Sequence, residues 1–168
     1  VDQAARECKP RRPILRADQR KVGLAGLGQI GLPMALYLKG FGFEVAGWTR
    51  TPKKVDGLET FHGKDGFGPL LARSEIVVGM LAVTPETENI FNAAAFARMP
   101  KGACLINLAR GDIVHDADLI AALDSGQLAG ATLDVFRTEP LPKDDKLWGH
   151  PRITIMPHVA RMPSPRDI

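Results

Sequence analysis

Gly26-Leu27-Gly28-Gln29-Ile30-Gly31 form the pattern G-x-G-x-x-G directly after the apolar run Val22-Gly23-Leu24-Ala25. A stretch with largely helical spacing of Ile30, Met34, Leu36, Tyr37 and Leu38 follows, ending at Gly40. In that setting each glycine has a task. Gly26 makes the tight turn, Gly28 lets the backbone approach a pyrophosphate, and Gly31 allows helix and strand to pack closely. Gln29 and Ile30 open the helix, whose N-terminus offers unpaired N–H groups and a positive dipole end to phosphate oxygens. A tight turn without a ligand would use the same glycines, but the flanking strand and helix favour a dinucleotide.

The end of the next apolar run, Phe43 to Trp48, selects which dinucleotide. An acidic residue there would accept hydrogen bonds from a ribose 2′-OH, as NAD requires. The chain instead has Trp48-Thr49-Arg50-Thr51-Pro52-Lys53-Lys54, with Thr49 at the acid's place, 18 residues beyond Gly31. A hydroxyl, a guanidinium and two ammonium groups suit a 2′-phosphate, which Arg binds in a bidentate, charge-assisted way. The bland alternative is a solvated basic loop. Thr49, Arg50, Thr51 and Lys53 are the candidate contacts, and NADPH is expected in preference to NADH.

These groups need a scaffold, and the rest of the pattern supplies one. Strands are expected at 22–25, 43–48, 76–82, 103–108, 128–135 and 153–156. Helices are expected at 29–40, 68–73, 92–98 and 116–125. Strands and helices alternate, and most strands read as continuous apolar runs, which suits a parallel sheet covered by helices on both faces. The expected fold is a doubly wound, mostly parallel α/β domain. The 168 residues, 45% hydrophobic, suffice for one such domain with a real core.

Charge and composition exclude other classes. The first 21 residues hold seven basic and three acidic groups, so the net +3 of the chain leaves −1 for everything after them. A basic face for nucleic acid is therefore not indicated. No apolar run approaches the roughly 20 residues of a membrane span. Cys8 and Cys104 are too few for a disulfide framework. No Cys/His spacing suggests a metal. His62, His115 and His150 fall in no catalytic pattern, and Cys104 reads as an inert strand residue. A soluble cytoplasmic protein is expected.

The stretch Gly26 to Arg50, with Gly31-Leu32-Pro33-Met34-Ala35 and Thr49-Arg50-Thr51, resembles the β-hydroxyacid dehydrogenases. A denser set of motifs resembles the D-isomer-specific 2-hydroxyacid dehydrogenases. It comprises Thr84-Pro85-Glu86-Thr87, Asn107-Leu108-Ala109-Arg110-Gly111, Asp118 to Leu123, Gly130 to Pro140, Leu147-Trp148, His150-Pro151-Arg152 and Pro157-His158-Val159-Ala160. These blocks cover roughly residues 22–160 in order, so the second resemblance is taken. Within it, Trp48-x-Arg50, Glu139-Pro140-Leu141-Pro142 and Pro157-His158-Val159-Ala160 are similar to the NADPH-preferring glyoxylate/hydroxypyruvate reductase branch.

The resemblance implies a catalytic trio: Arg110, Glu139 and His158. The types suit reduction of a small 2-keto acid. A guanidinium holds the carboxylate and polarises the carbonyl, and His donates a proton as hydride arrives from the nicotinamide. A neighbouring carboxylate keeps that His oriented and protonated. Arg110 and His158 would also border the cofactor, with Leu108 and Ala109 beside them. Asp134, at a strand's carboxyl end, is expected to hold the nicotinamide carboxamide, and Pro85 and Thr87 to line the cleft. Each has a plainer alternative, namely a strand-end cap, a solvated turn or a loop histidine.

The resemblance further implies a substrate-binding domain outside the chain and a homodimer. Residues 1–20 are read as an interdomain connection and 21–168 as the dinucleotide-binding domain. The chain begins at Val1 without Met, so a piece of a longer protein is expected. Arg161-Met162 departs from the smaller, less charged pair usual in the reductase branch. The competing functions are a nucleotide-binding sensor without turnover, and a β-hydroxyacid dehydrogenase.

Overall fold

A computed structural model describes residues 16–160. Most of the expected connection (residues 1–15), Cys8 and the Arg161-Met162 pair lie outside the described residues. Seven strands run β1 (Lys21–Ala25), β2 (Glu44–Thr49), β3 (Glu59–His62), β4 (Ile76–Gly79), β5 (Ala103–Asn107), β6 (Leu128–Leu133) and β7 (Ile153–Ile155). Four helices join them: α1 (Gly31–Gly40), α2 (Gly63–Arg73), α3 (Ala93–Arg98) and α4 (Asp116–Asp124). The strands form one sheet in the order β3-β2-β1-β4-β5-β6-β7, every neighbouring pair parallel.

Both faces are covered, for the reason the apolar runs suggested. Successive strand residues point to opposite faces. Val77 of β4 therefore joins a core with Leu70, Phe96, Leu105, Leu119 and Leu123, under α2, α3 and α4. Its neighbour Val78 joins Val22, Leu24, Ala35 and Val45 beneath α1. Asn92 caps α3, its side chain accepting from Ala95 N at 3.1 Å.

Three expectations about elements are corrected. Strand β3 was not expected: it is short, lies at the sheet edge, and only Thr60 and Phe61 are half-buried, so it lacks a periodic signature. Helix α2 starts at Gly63 instead of residue 68, although Gly66, Gly68 and Pro69 are poor helix formers. Packing overrides propensity there: Leu70 and Leu71 are fully buried, and a Cβ on Gly66 would press on Phe61 at 3.2 Å. Strands β4 and β6 end at Gly79 and Leu133, earlier than their apolar runs.

Strand β1 pairs with β2 on one side and β4 on the other, so the chain winds in opposite directions from it. A crevice opens at the carboxyl ends of strands at such a switch point. The segments after β1, β2, β4, β5, β6 and β7 all emerge on that edge. No helix among the described residues is long and apolar enough to cross a membrane.

Candidate active site

The glycine loop borders two adjoining hollows of about 810 Å³ and 820 Å³, with Gly28 in the wall of both. Gly26 has φ of +112°, and a Cβ there would lie 2.5 Å from Met80 O. A Cβ on Gly31 would lie 2.0 Å from Gly26 O, so loop and helix meet backbone to backbone. A Cβ on Gly28 would meet nothing within 4 Å. The three positions thus match the turn, approach and packing tasks, and the bare edge of Gly28 fits a bound pyrophosphate.

The first hollow is lined by Trp48, Thr49, Arg50, Lys64, Glu86 and Thr87, among others. The basic segment after β2 divides its work. Lys53 Nζ donates to Leu27 O at 2.7 Å and so braces the glycine loop. Thr49 Oγ1 donates to Thr51 O at 2.7 Å, shaping the turn. Lys53 and Thr51 lie outside the cavity wall, while Arg50 and Thr49 belong to it. Lys53 keeps two further N–H donors beyond the one spent on Leu27 O, so the expected phosphate contact is within its bonding capacity.

Lys64, at the start of α2, joins Arg50 as a second cation and was missed because the preceding strand gave no signal. Trp48 Nε1 donates to Gly63 O at 2.8 Å, tying that helix start to the cavity. Across the hollow, the Thr84 side chain and the backbone hold the Glu86 carboxyl below its ordinary range, with Arg50 and Lys64 adding to the effect. Thr87 Oγ1 donates to Ala82 O at 2.7 Å and closes the turn after β4. Pro85 is exposed and is not in the wall of this hollow.

The second hollow gathers Gln29, Ile30, Gly31, Leu108, Ala109 and Arg110. Asn107 builds the turn that presents them. It is fully buried, its Oδ1 accepts from Ala109 N at 3.1 Å, and its Nδ2 donates to Arg110 O at 2.8 Å. The Arg110 guanidinium donates to Ala109 O at 2.6 Å and is exposed at the cleft.

Beyond it, Glu139 and His158 share the wall of a smaller hollow of about 210 Å³. His158 Nδ1 lies 2.7 Å from Glu139 Oε2, and Phe136 N donates to Glu139 Oε1 at 2.9 Å. Burial pushes the Glu139 carboxyl up, but the His158 hydrogen bond, the Phe136 N–H and the charges of His158 and Arg110 outweigh it. The net position is below the usual carboxylate range. With Nδ1 on Glu139, Nε2 occupies the opposite side of the ring.

Asp134 keeps different company from that expected. It is 1% exposed, and its two oxygens accept from Val159 N and Ala160 N, each at 2.9 Å. Both bonds go to the chain's own backbone, and each oxygen keeps a further lone pair that could accept from a bound carboxamide. His115 pairs with Asp118 and His150 with Asp124, away from these hollows. Cys104 is half-buried, and burial pushes its thiol up. Among the described residues no group of three or more His, Cys, Asp or Glu is placed to hold a metal ion.

Residues 2–160 match the profile described as D-isomer specific 2-hydroxyacid dehydrogenase, NAD binding domain. The chain is 43% identical over 164 residues to a glyoxylate/hydroxypyruvate reductase A of Serratia proteamaculans, covering 98% of this chain and 52% of that protein. It is 46% identical to a D-isomer specific 2-hydroxyacid dehydrogenase of Xanthobacter autotrophicus, solved with NADPH and MES. That structure gives a TM-score of 0.92, with 98% of this chain and 68% of that chain covered. An NADPH-dependent glyoxylate/hydroxypyruvate reductase of Sinorhizobium meliloti, solved with NADP and sulfate, is 36% identical with a TM-score of 0.86. There 95% of this chain and 51% of that chain are covered. The chain spans about half the length of the curated relatives it matches. The profile match runs through residues 26–51, so the similarity of that stretch to the β-hydroxyacid dehydrogenases does not set the assignment.

Proposed function

The chain belongs to the D-isomer specific 2-hydroxyacid dehydrogenase family, through its NAD binding domain, and from that premise we propose that the whole protein reduces a small 2-keto acid with NADPH. Glyoxylate and hydroxypyruvate are the proposed substrates, in line with the names of the relatives. The observation that carries the reading is the His158–Glu139 contact of 2.7 Å beside the hollow that holds Arg110.

The residues of the cleft fit the cofactor. Gly26, Gly28, Gln29, Ile30 and Gly31 would receive the pyrophosphate. Thr49, Arg50 and Lys64 would face the 2′-phosphate, with Thr87 closing the wall and Leu108 and Ala109 nearer the nicotinamide. The cofactor, when bound, supplies a hydride.

This chain's own groups do the rest. The Arg110 guanidinium binds the substrate carboxylate and draws charge onto the carbonyl oxygen, in a fixed geometry that an ammonium lacks. His158 Nε2 donates a proton to that oxygen, so the keto group gains one hydride and one proton and becomes a hydroxyl. Glu139 holds Nδ1 and so fixes the orientation of the ring. A homodimer is part of the proposal, read by light scattering as twice the chain mass.

The test is steady-state reduction of glyoxylate and hydroxypyruvate by the whole protein. NADPH should serve better than NADH, and His158→Ala should lower kcat by at least about 100-fold. Absence of NADPH-dependent turnover in the wild type sinks the proposal, and an active His158→Ala removes His158 as the acid.

A further inference from the structure

We propose that Arg137 is a positioning residue whose guanidinium holds the turn carrying Arg110 against the segment carrying Glu139. Its effect rests on the roles proposed above for Arg110, Glu139 and His158. Arg137 lies outside the walls of the three hollows around the site, so it acts through the residues it holds. It follows Phe136, whose N–H donates to Glu139 Oε1 at 2.9 Å. Its side chain, 31% exposed, bonds to the segment after β5.

Arg137 Nη2 donates to Val114 O at 2.6 Å and to Asp112 O at 3.1 Å. These carbonyls bracket the end of the single helical turn Gly111–Ile113, which begins directly after Arg110. Asn107 holds the near side of the same bend through Ala109 N and Arg110 O. Arg110 is thus braced before by Asn107 and after by Arg137. Nη2 also donates to Asn89 Oδ1, and Asn89 N donates to Asp112 O at 2.9 Å. The loop after β4 is thereby drawn into the same joint. A planar guanidinium with five donors can serve several carbonyls at once, which a point-charge ammonium does less well. The ion pair to Asp116, at 3.9 Å and partly exposed, adds little.

A tie of this kind is needed because steric contact alone does not hold two segments together. A Cβ on Gly111 would lie 2.2 Å from Arg137 N, so the two backbones already touch. That contact limits how closely they approach, whereas the bonds from Arg137 keep them from separating. Arg110 on one side and the Glu139–His158 pair on the other must meet one small substrate, and a misplacement of about 1 Å there can cost about 100-fold in rate.

The test compares wild type with Arg137→Met in the whole protein at 25 °C, below the melting transition, where a variant that merely unfolds more easily keeps wild-type kinetics. For glyoxylate, kcat/KM should fall about 10- to 100-fold while the Kd for NADPH stays within about threefold. Hydrogen exchange by mass spectrometry should quicken at least about tenfold over residues 111–115, where Val114 N donates to Gly111 O and His115 N to Phe91 O. A lower melting temperature with wild-type kcat/KM, or unchanged exchange, overturns the proposal. So does an NADPH Kd that weakens as much as kcat/KM falls, since the effect would then lie in the cofactor cleft. If Arg137→Met does not fold, Arg137→Lys takes its place and should lose about threefold or more in kcat/KM. Wild-type kinetics in Arg137→Lys, or failure of both variants to fold, overturns the positioning role. A wild type that does not reduce glyoxylate sinks the proposed function, and the exchange comparison then judges the brace separately.

Discussion

Arg50 and Lys53 stand three positions apart after β2, yet they do different work. Lys53 is bonded to the glycine loop, whereas Arg50 lines the cavity shared with Lys64 and Glu86. Arg50→Ala should therefore raise the Kd for NADPH by about tenfold or more, the scale of a charge-assisted hydrogen bond, and change NADH binding little. Titration followed through Trp48 fluorescence reads this, and equal weakening of both nucleotides would remove Arg50 from the phosphate site. Glu139 makes a second prediction. Its folded-state carboxyl is depressed from its ordinary value of 4.5, so its stabilising effect is present above about pH 4.5 and disappears as pH falls through the lower folded value. Urea unfolding of wild type and Glu139→Gln should differ most above that point and converge in acid. A difference that stays constant from pH 6 to about pH 3 would count against the pair. With the Glu139 side chain 36% exposed, solvent screening keeps the effect small.

Elements bring these residues together through close backbone approach. A Cβ on Gly111 would lie 2.0 Å from Phe136 C and 2.2 Å from Arg137 N. The turn after β5 that carries Arg110 is therefore seated directly on the segment that leads to Glu139. Gly111→Ala should cost about 1–3 kcal/mol, the usual range for overpacking, and lower the melting temperature measurably. Thermal unfolding within about 0.5 kcal/mol of wild type would show that the two segments are not in contact, since only neutral surface changes are that small. The motif Asn107-Leu108-Ala109-Arg110-Gly111 marked this place in the sequence. That Gly111 is there for a neighbour 25 residues away needed the fold. Strand β3 is the converse case: Glu59-Thr60-Phe61-His62 carries no usable period, and its pairing with β2 forms it.

At the scale of the molecule, one property gathers the site. All strands are parallel, so their carboxyl ends share an edge, and segments distant in sequence converge there. Arg110, Glu139 and His158 come from the ends of β5, β6 and β7, three consecutive strands in the sheet. The charge on Glu139 feels both of the others, which is the electrostatic sign of that convergence.

The glycine loop and the doubly wound alternation were legible because each depends on local order, whereas Arg110, Glu139 and His158 were reached through the resemblance of their motifs. A strand-turn-helix needs particular glycines, a two-sided sheet needs continuous apolar runs, and the motifs keep their spacing along the chain. The partners of Lys53 and Asp134 were not legible, because each is contributed by another element. Lys53 reads only as one cation of a basic loop until the fold brings Leu27 O to 2.7 Å from its Nζ. Asp134 reads only as a carboxylate at a strand end until the fold brings Val159 N and Ala160 N to 2.9 Å from its oxygens. A side chain's type and spacing state which bonds it can make; the tertiary structure decides which partners lie within the roughly 3 Å over which a hydrogen bond acts.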